Sequence, residues 1–387
     1  MLLRTLILIV LFTVSCSSVP RAQTISLYFP DRAGQEYALH LYQGQNMNLV
    51  ADGKIDESGK AQIVIPDTHA GFSGVGLLSI NDGEMRIQLI VNNESFSIAV
   101  NSETGIIFEN SPENNFMVDF FSNRNPRQVA INMYAPRYIE LLKFQNDLAQ
   151  SQDNLFLRNH LRRRLDMEAL YTSGLWNDII SATFNLHRNR RDFGVDMVEA
   201  LRRINDQTVF EALAEDLITI CTQFGWETAQ DEIVEFLINS QRIQHPSGRL
   251  FFAFRQHKVR PGIKAPALID NEKEIELRNV LLLFHESGCP NCELQMQEVV
   301  RHYASIRAKG YEVVSVSADL EEETFKRSIA NFPWKIKLVD FQNFEGVNFV
   351  NYGIIGTPSM YLINADGIVI GRQARLQDFS EFSDLYR

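Results

Sequence analysis

Asn279-Val-Leu-Leu-Leu-Phe284 runs directly into His285-Glu-Ser-Gly-Cys-Pro-Asn-Cys292, and these residues set the architecture of the C-terminal third. The unbroken apolar run reads as a central strand buried on both faces. A helix-period segment, residues 292–308, follows the cysteines. Two thiols two residues apart therefore stand at the start of a helix. The N-terminal end of a helix carries about half a positive charge, which favours thiolate over thiol at the first cysteine. One helical turn brings the second thiol close enough to attack a mixed disulfide formed on the first. Cys289 is accordingly the candidate nucleophile and Cys292 the candidate resolving thiol. His285 and Glu286 are the nearest titratable side chains, with a candidate proton-carrying or electrostatic role.

Working outward, residues 311–317 form a second apolar strand. An acidic-start helix follows over 320–331, where Asp319 and the run 321–323 suit a helix N-terminus. Strands at 359–363 and 368–372 are joined by the turn Asn364-Ala-Asp-Gly367. This order predicts an α/β domain with a mixed sheet over 261–387.

The stretches 284–292, Val314-Ser-Val-Ser-Ala-Asp319 and Tyr352-Gly-Ile-Ile-Gly-Thr-Pro-Ser-Met-Tyr-Leu-Ile363 together resemble the thioredoxin superfamily, and within it the TlpA/ResA-type thiol–disulfide oxidoreductases. The resemblance implies that Gly356-Thr357-Pro358 is a cis-proline loop facing the cysteines, with Thr357 and Pro358 forming the substrate platform. It also implies protein disulfides as substrates, a membrane or periplasmic dithiol protein as electron donor, and no organic cofactor. Several positions depart from the family pattern. Gly288 and His285 stand where tryptophans are common, Leu283 where thioredoxin has a buried Asp, and Gln295 where many TlpA-type reductases carry Glu.

Competing readings of the cysteine pair each lack a component. A zinc site needs two further ligands, and the chain holds no second CxxC or HxxxH pair. A peroxiredoxin-like peroxidase needs Thr or Ser where Glu286 stands. Copper chaperones of the Sco type need a CxxxC spacing. An inert structural disulfide remains an alternative, as does a partner-binding, scaffolding lipoprotein with an accessory thioredoxin-like domain.

The 387 residues suit two to three domains at roughly 150 residues each. The expected class is multidomain α+β. Residues 24–110 alternate with period two between turn signals, predicting an antiparallel β-sandwich. The layout around Asp52-Gly-Lys-Ile-Asp-Glu-Ser-Gly59 is similar to the small β-domain that precedes the thioredoxin domain in many exported Bacteroidetes-type proteins. Residues 111–245 switch to helical spacing, as in Phe210, Leu213, Leu217, Ile220, Cys221 and Phe224, and predict a helical domain. Cys221 reads as a small hydrophobe on an apolar face. The clusters Arg162-Arg-Arg164 and His187-Arg-Asn-Arg-Arg191 read as solvated faces or as a surface for acidic partners. Residues 246–260, bounded by Pro and Gly, read as a linker.

Residues 1–16 have the layout of an export signal: Arg4, then an apolar run to Val14, then Ser15-Cys-Ser-Ser18. The window Thr13-Val-Ser-Cys16 resembles a lipobox, which implies lipidation at Cys16, a membrane anchor and a periplasmic or cell-envelope location. The net charge of −11 gives no footprint for nucleic acid.

Overall fold

The computed structural model describes residues 23–101, 105–122, 124 and 132–386. The expected signal and Cys16 lie outside the described residues. Two compact units account for the chain. The first runs to Leu157 and includes Arg164–Asn185; the second comprises Arg158–Arg163 and Leu186–Arg387.

Eight strands open the first unit: β1 (Thr24–Tyr28), β2 (Glu36–Gln43), β3 (Asn46–Lys54), β4 (Lys60–Val64), β5 (Ser73–Ile80), β6 (Met85–Asn92), β7 (Phe96–Asn101) and β8 (Gly105–Glu109). They form two four-stranded sheets, ordered β4-β1-β7-β8 and β3-β2-β5-β6. Period-two alternation turns Ile25 and Leu27 of β1, Leu39 and Leu41 of β2, and Leu89 and Val91 of β6 into one shared core. The expectation of an all-antiparallel block needs one correction, because β1 pairs with β7 in parallel. These strands are distant in sequence, so no hairpin turn sets their direction. Helices α1 (Pro112–Phe121), α2 (Ala135–Gln150), α3 (Asn154–Arg163), α4 (Met167–Tyr171) and α5 (Trp176–Asn185) follow. The side chain of Gln88 on β6 donates to Tyr138 Oη on α2 at 2.6 Å.

The second unit begins with α6 (Arg190–Arg202), α7 (Gln207–Phe224), α8 (Glu227–Ser240) and α9 (Gly248–Lys258). The single helical domain expected at 111–245 is thus divided between two units. Helix α9 also overturns the linker expected at 246–260. Pro and Gly flank this stretch rather than fill it, and Leu250, Ala253 and His257 are buried along one face. Val259, just beyond α9, is fully buried in the core of the α/β sheet. Gly353 adopts φ +62°, and a Cβ there would lie 2.7 Å from the Gln256 backbone, so α9 sits close to that turn.

The α/β part contains a small hairpin, β9 (Leu268–Asp270) and β10 (Lys273–Ile275), then β11 (Val280–His285), α10 (Pro290–Ala308), β12 (Glu312–Ser317), α11 (Glu322–Ser328), β13 (Ile336–Val339), α12 (Val347–Tyr352), β14 (Ser359–Ile363) and β15 (Val369–Gln373). The sheet order is β13-β12-β11-β14-β15. The pairs β11·β12 and β12·β13 are parallel, and those through β14 antiparallel, so the sheet is mixed as expected. Every residue of central β11 is buried. Leu282 and Phe284 enter the core on one face, and Leu281 and Leu283 the core on the other. That two-sided burial is the physical meaning of the unbroken apolar run.

Candidate functional site

Strand β11 ends at His285, and α10 begins at Pro290 with Cys289 as its N-cap. Proline is well placed at this first helical position, where its missing N–H has no partner to lose. The connecting loop turns at Gly288, whose φ of +75° suits glycine far better than the tryptophan common there. Cys289 is half-buried and Cys292 fully buried, and both are free thiols. Cys289 Sγ lies 3.9 Å from the carbonyl oxygen of Thr357. The Thr357–Pro358 peptide bond is cis. The two cysteines and the Thr357-Pro358 loop are therefore brought together.

Burial pushes the Cys292 thiol up to about 11, although the Thr357 hydroxyl and the Glu286 backbone amide both act to favour its thiolate. Thr357 thus also reaches the second cysteine, a contact that the resemblance did not single out. Cys221, far along the chain, is also deeply buried; desolvation raises it to about 12, consistent with a small hydrophobe.

His285 is 2% exposed, and burial lowers its pKa to about 4, with the Asp319 charge acting the other way. The ring meets Phe332 edge-on, with centroids 5.5 Å apart. Its Nε2 is buried without a hydrogen-bond partner. The Glu286 side chain is half-buried beside it.

Asp319 is a site residue that sequence reasoning placed elsewhere. Its carboxyl does not start the following helix; α11 begins three residues later. Instead it accepts from Ser287 twice, from the backbone N–H at 3.1 Å and from the hydroxyl at 2.7 Å. Ser287 is two residues before Cys289, so this pair ties the thiol loop to the end of β12. The parallel register, His285 opposite Ser317, brings them together. Gln295, at the position where related reductases carry an acid, accepts from the Leu376 backbone N–H at 3.0 Å. It anchors the C-terminal segment.

Beside the cysteines, on the α10 and α11 side, lies a pocket of about 500 Å³. Its lining includes His285, Cys292, Met296, Val300 and Phe332. Among the described residues, no group of three His, Cys, Asp or Glu side chains is gathered to hold a metal ion. None of the described helices is long and apolar enough to cross a membrane.

Residues 278–369 match the thioredoxin-like family. The C-terminal domain belongs to the thioredoxin superfamily. The thioredoxin-like domain is similar to human nucleoredoxin, at 31% identity over 140 residues, covering 34% of this chain and 32% of nucleoredoxin. It is also similar to the thiol-disulfide oxidoreductase ResA of Halalkalibacterium halodurans, 29% identical over 99 residues, covering 25% and 54% of the two chains. For ResA of Bacillus thuringiensis the identity is 27% over 124 residues, with 30% and 70% covered. The chain thus spans about a third of the length of the nucleoredoxins it matches. Among solved structures, the thioredoxin domain of a thiol-disulfide oxidoreductase from Bacteroides vulgatus aligns at 23% identity with a TM-score of 0.29, over 33% of this chain and 97% of that one. A thioredoxin-like protein from Bacteroides caccae aligns over 61% of this chain and 94% of its own, at 16% identity and a TM-score of 0.40.

Proposed function

We propose that this chain is an exported thiol–disulfide oxidoreductase, held at the cell envelope by a lipid on Cys16. The observation that carries the chemistry is the half-buried Cys289 at the start of α10, 3.9 Å from the Thr357 carbonyl, with Cys292 buried behind it. The Cys289 thiolate attacks one sulfur of a protein disulfide. A mixed disulfide forms, and the first substrate sulfur leaves as a thiolate. Cys292 then loses its proton and attacks Cys289 Sγ, closing the Cys289–Cys292 disulfide and releasing the second substrate thiol. Two electrons pass to the substrate, and the dithiol carries them without an organic cofactor. Thr357 and Pro358 offer their backbone to an extended substrate segment, in the manner of strand addition. A second dithiol protein, membrane-bound or periplasmic, returns the pair to its reduced form.

Burial makes Cys292 a thiol at neutral pH, so its attack requires a proton acceptor. His285 lines the pocket with Cys292, but the burial that lowers its pKa to about 4 makes it a weak acceptor for that proton. At neutral pH it is uncharged and supplies no fixed positive charge beside the thiols. Glu286 lines the same pocket and is the better-placed candidate acceptor.

The test is the reduction potential of the pair, read by alkylation and mass in graded dithiol buffers, together with a Cys292→Ser variant. The variant is expected to accumulate the mixed disulfide on Cys289. A potential near or below about −220 mV marks a reductase, and one near about −120 to −180 mV an oxidant or isomerase. A pair that never exchanges overturns the reading.

A further inference from the structure

Residues 286–288, which lead into Cys289, line the pocket beside Cys292, so this pocket adjoins the place where a substrate disulfide is attacked. Its volume, about 500 Å³, falls within the usual range for ligand sites, roughly 300–1,000 Å³, and admits a long side chain. Met296, Val300 and Phe332 supply an apolar wall. The charge around that wall is negative. Glu286 and Glu293 both belong to the lining. The Asp319 carboxylate stands just behind it: the hydroxyls of two lining residues, Ser287 and Ser328, donate to its Oδ2 at 2.7 and 3.4 Å. The cations nearby are already engaged. Arg301 lines the pocket but is paired with Glu298 at 2.6 Å. On α11, Lys326 is paired with Glu322 at 2.8 Å, and Arg327 donates to the Glu323 carbonyl and the Thr324 hydroxyl. His285 carries no charge at neutral pH.

We infer that this pocket takes a basic side chain, arginine or lysine, flanking the cysteine of a substrate disulfide, so that the site selects protein disulfides set in basic segments. The aliphatic stem of such a side chain lies along Met296, Val300 and Phe332, while its charged end stays in the solvated mouth among the carboxylates. A leucine at the same place would cover the wall and leave the carboxylates unanswered. A glutamate would meet like charges, which is how an interface turns a wrong partner away. Cys292 is part of the lining, so the substrate's cation also stands near the resolving thiol, where an opposite charge favours the thiolate. The exchange keeps its balance: the Cys292 proton still leaves to an acceptor, and two electrons still pass to the substrate.

This inference rests on the dithiol reading above, and its test separates the two. The reduced full chain is reacted with short capped peptides dimerised through one cysteine, carrying Arg, Leu or Glu in turn at each flanking position. Each rate is divided by that of the same peptide with dithiothreitol, which removes the peptide's own reactivity. At one flanking position the Arg peptide is expected to react about tenfold faster than the Leu peptide, and the Glu peptide slowest. The preference fades between about 0.01 M and 1 M salt, where the screening length falls from about 30 to 3 Å. Glu286→Gln with Glu293→Gln brings the Arg and Leu rates together. Val300→Trp, or Gln297→Trp at the exposed edge, fills the pocket and does the same, while the Leu peptide still exchanges. Glu57→Gln with Glu109→Gln removes two exposed charges from the first unit and keeps the preference. Equal Arg and Leu rates at every position, a preference that survives both the glutamine pair and the tryptophan variants, or one that the Glu57 and Glu109 pair abolishes equally, would each overturn the inference. If no peptide exchanges, the oxidoreductase reading falls and takes this one with it. If all exchange without regard to charge, the basic-segment selection alone falls.

Discussion

Burial holds His285 at a pKa of about 4, against 6.5 for the free side chain. The unfolded chain therefore binds one more proton than the folded chain between those values, and stability rises with pH across that window. The expected size is at most about 3 kcal/mol, fully present above pH 6.5 and lost as pH falls toward 4. Glu94 acts in the opposite sense: burial raises it to about 7, so its contribution is lost as pH rises. Denaturant unfolding at a series of pH values, compared with His285→Phe, isolates the histidine slope; an unchanged slope in the variant would refute its assignment. A second expectation concerns the loop before the nucleophile. Ser287→Ala removes the 2.7 Å bond to the buried Asp319 carboxyl, leaving that oxygen only the longer bond from the Ser328 hydroxyl at 3.4 Å. Stability should fall by about 1–3 kcal/mol at constant m-value, with slower mixed-disulfide formation. Reactivity differs between the two thiols as well. Timed alkylation at neutral pH should label Cys289 alone, since burial keeps Cys292 protonated.

Helix α9 determines where the thioredoxin-like domain begins. The Gln256 side chain donates to the Gly353 carbonyl at 2.9 Å and accepts from Gln230 at 3.0 Å. Val259 is fully buried among Leu268, Val280 and Phe284. A fragment starting at residue 261 loses all of this. It should melt well below a fragment starting at residue 245, and calorimetry of the two decides the matter; equal melting temperatures would make α9 an appendage. The Pro and Gly residues that suggested a linker are punctuation at the two ends of an eleven-residue helix. Its three buried side chains are too few to announce an amphipathic pattern against that punctuation. The hairpin β9–β10 and strand β13 were equally hidden, being only three or four residues long.

At the scale of the molecule, charge enters the interior of the second unit. Asp196, 1% exposed, accepts from Arg158 Nε at 2.6 Å and lies 2.9 Å from His187 Nε2, and these partners hold its carboxyl below the usual range despite burial. Residues 158–163 belong to this unit, as do His187 and Asp196. Two members of the basic clusters, Arg162 and His187, therefore turn toward a buried carboxylate rather than present a wholly solvated face. Asp196→Ala leaves the Arg158 and Arg162 guanidinium groups uncompensated and should cost about 3–5 kcal/mol, read as a shift in the urea midpoint; a loss under 1 kcal/mol would mean the network is a solvated one. Local chemistry is why the sequence by itself determined β11, the helix start at the cysteines and the order of strands and helices around them, while the Thr357-Pro358 loop followed from the family resemblance. A buried strand, a CxxC pair and a turn each announce themselves within a few neighbouring residues. Only the tertiary structure decided that Asp319 serves Ser287, that Gln295 holds the C-terminal segment, that β1 pairs with β7 and that the helices divide between two units. Each of these joins residues many positions apart, where spacing carries no signal and packing alone selects the partner.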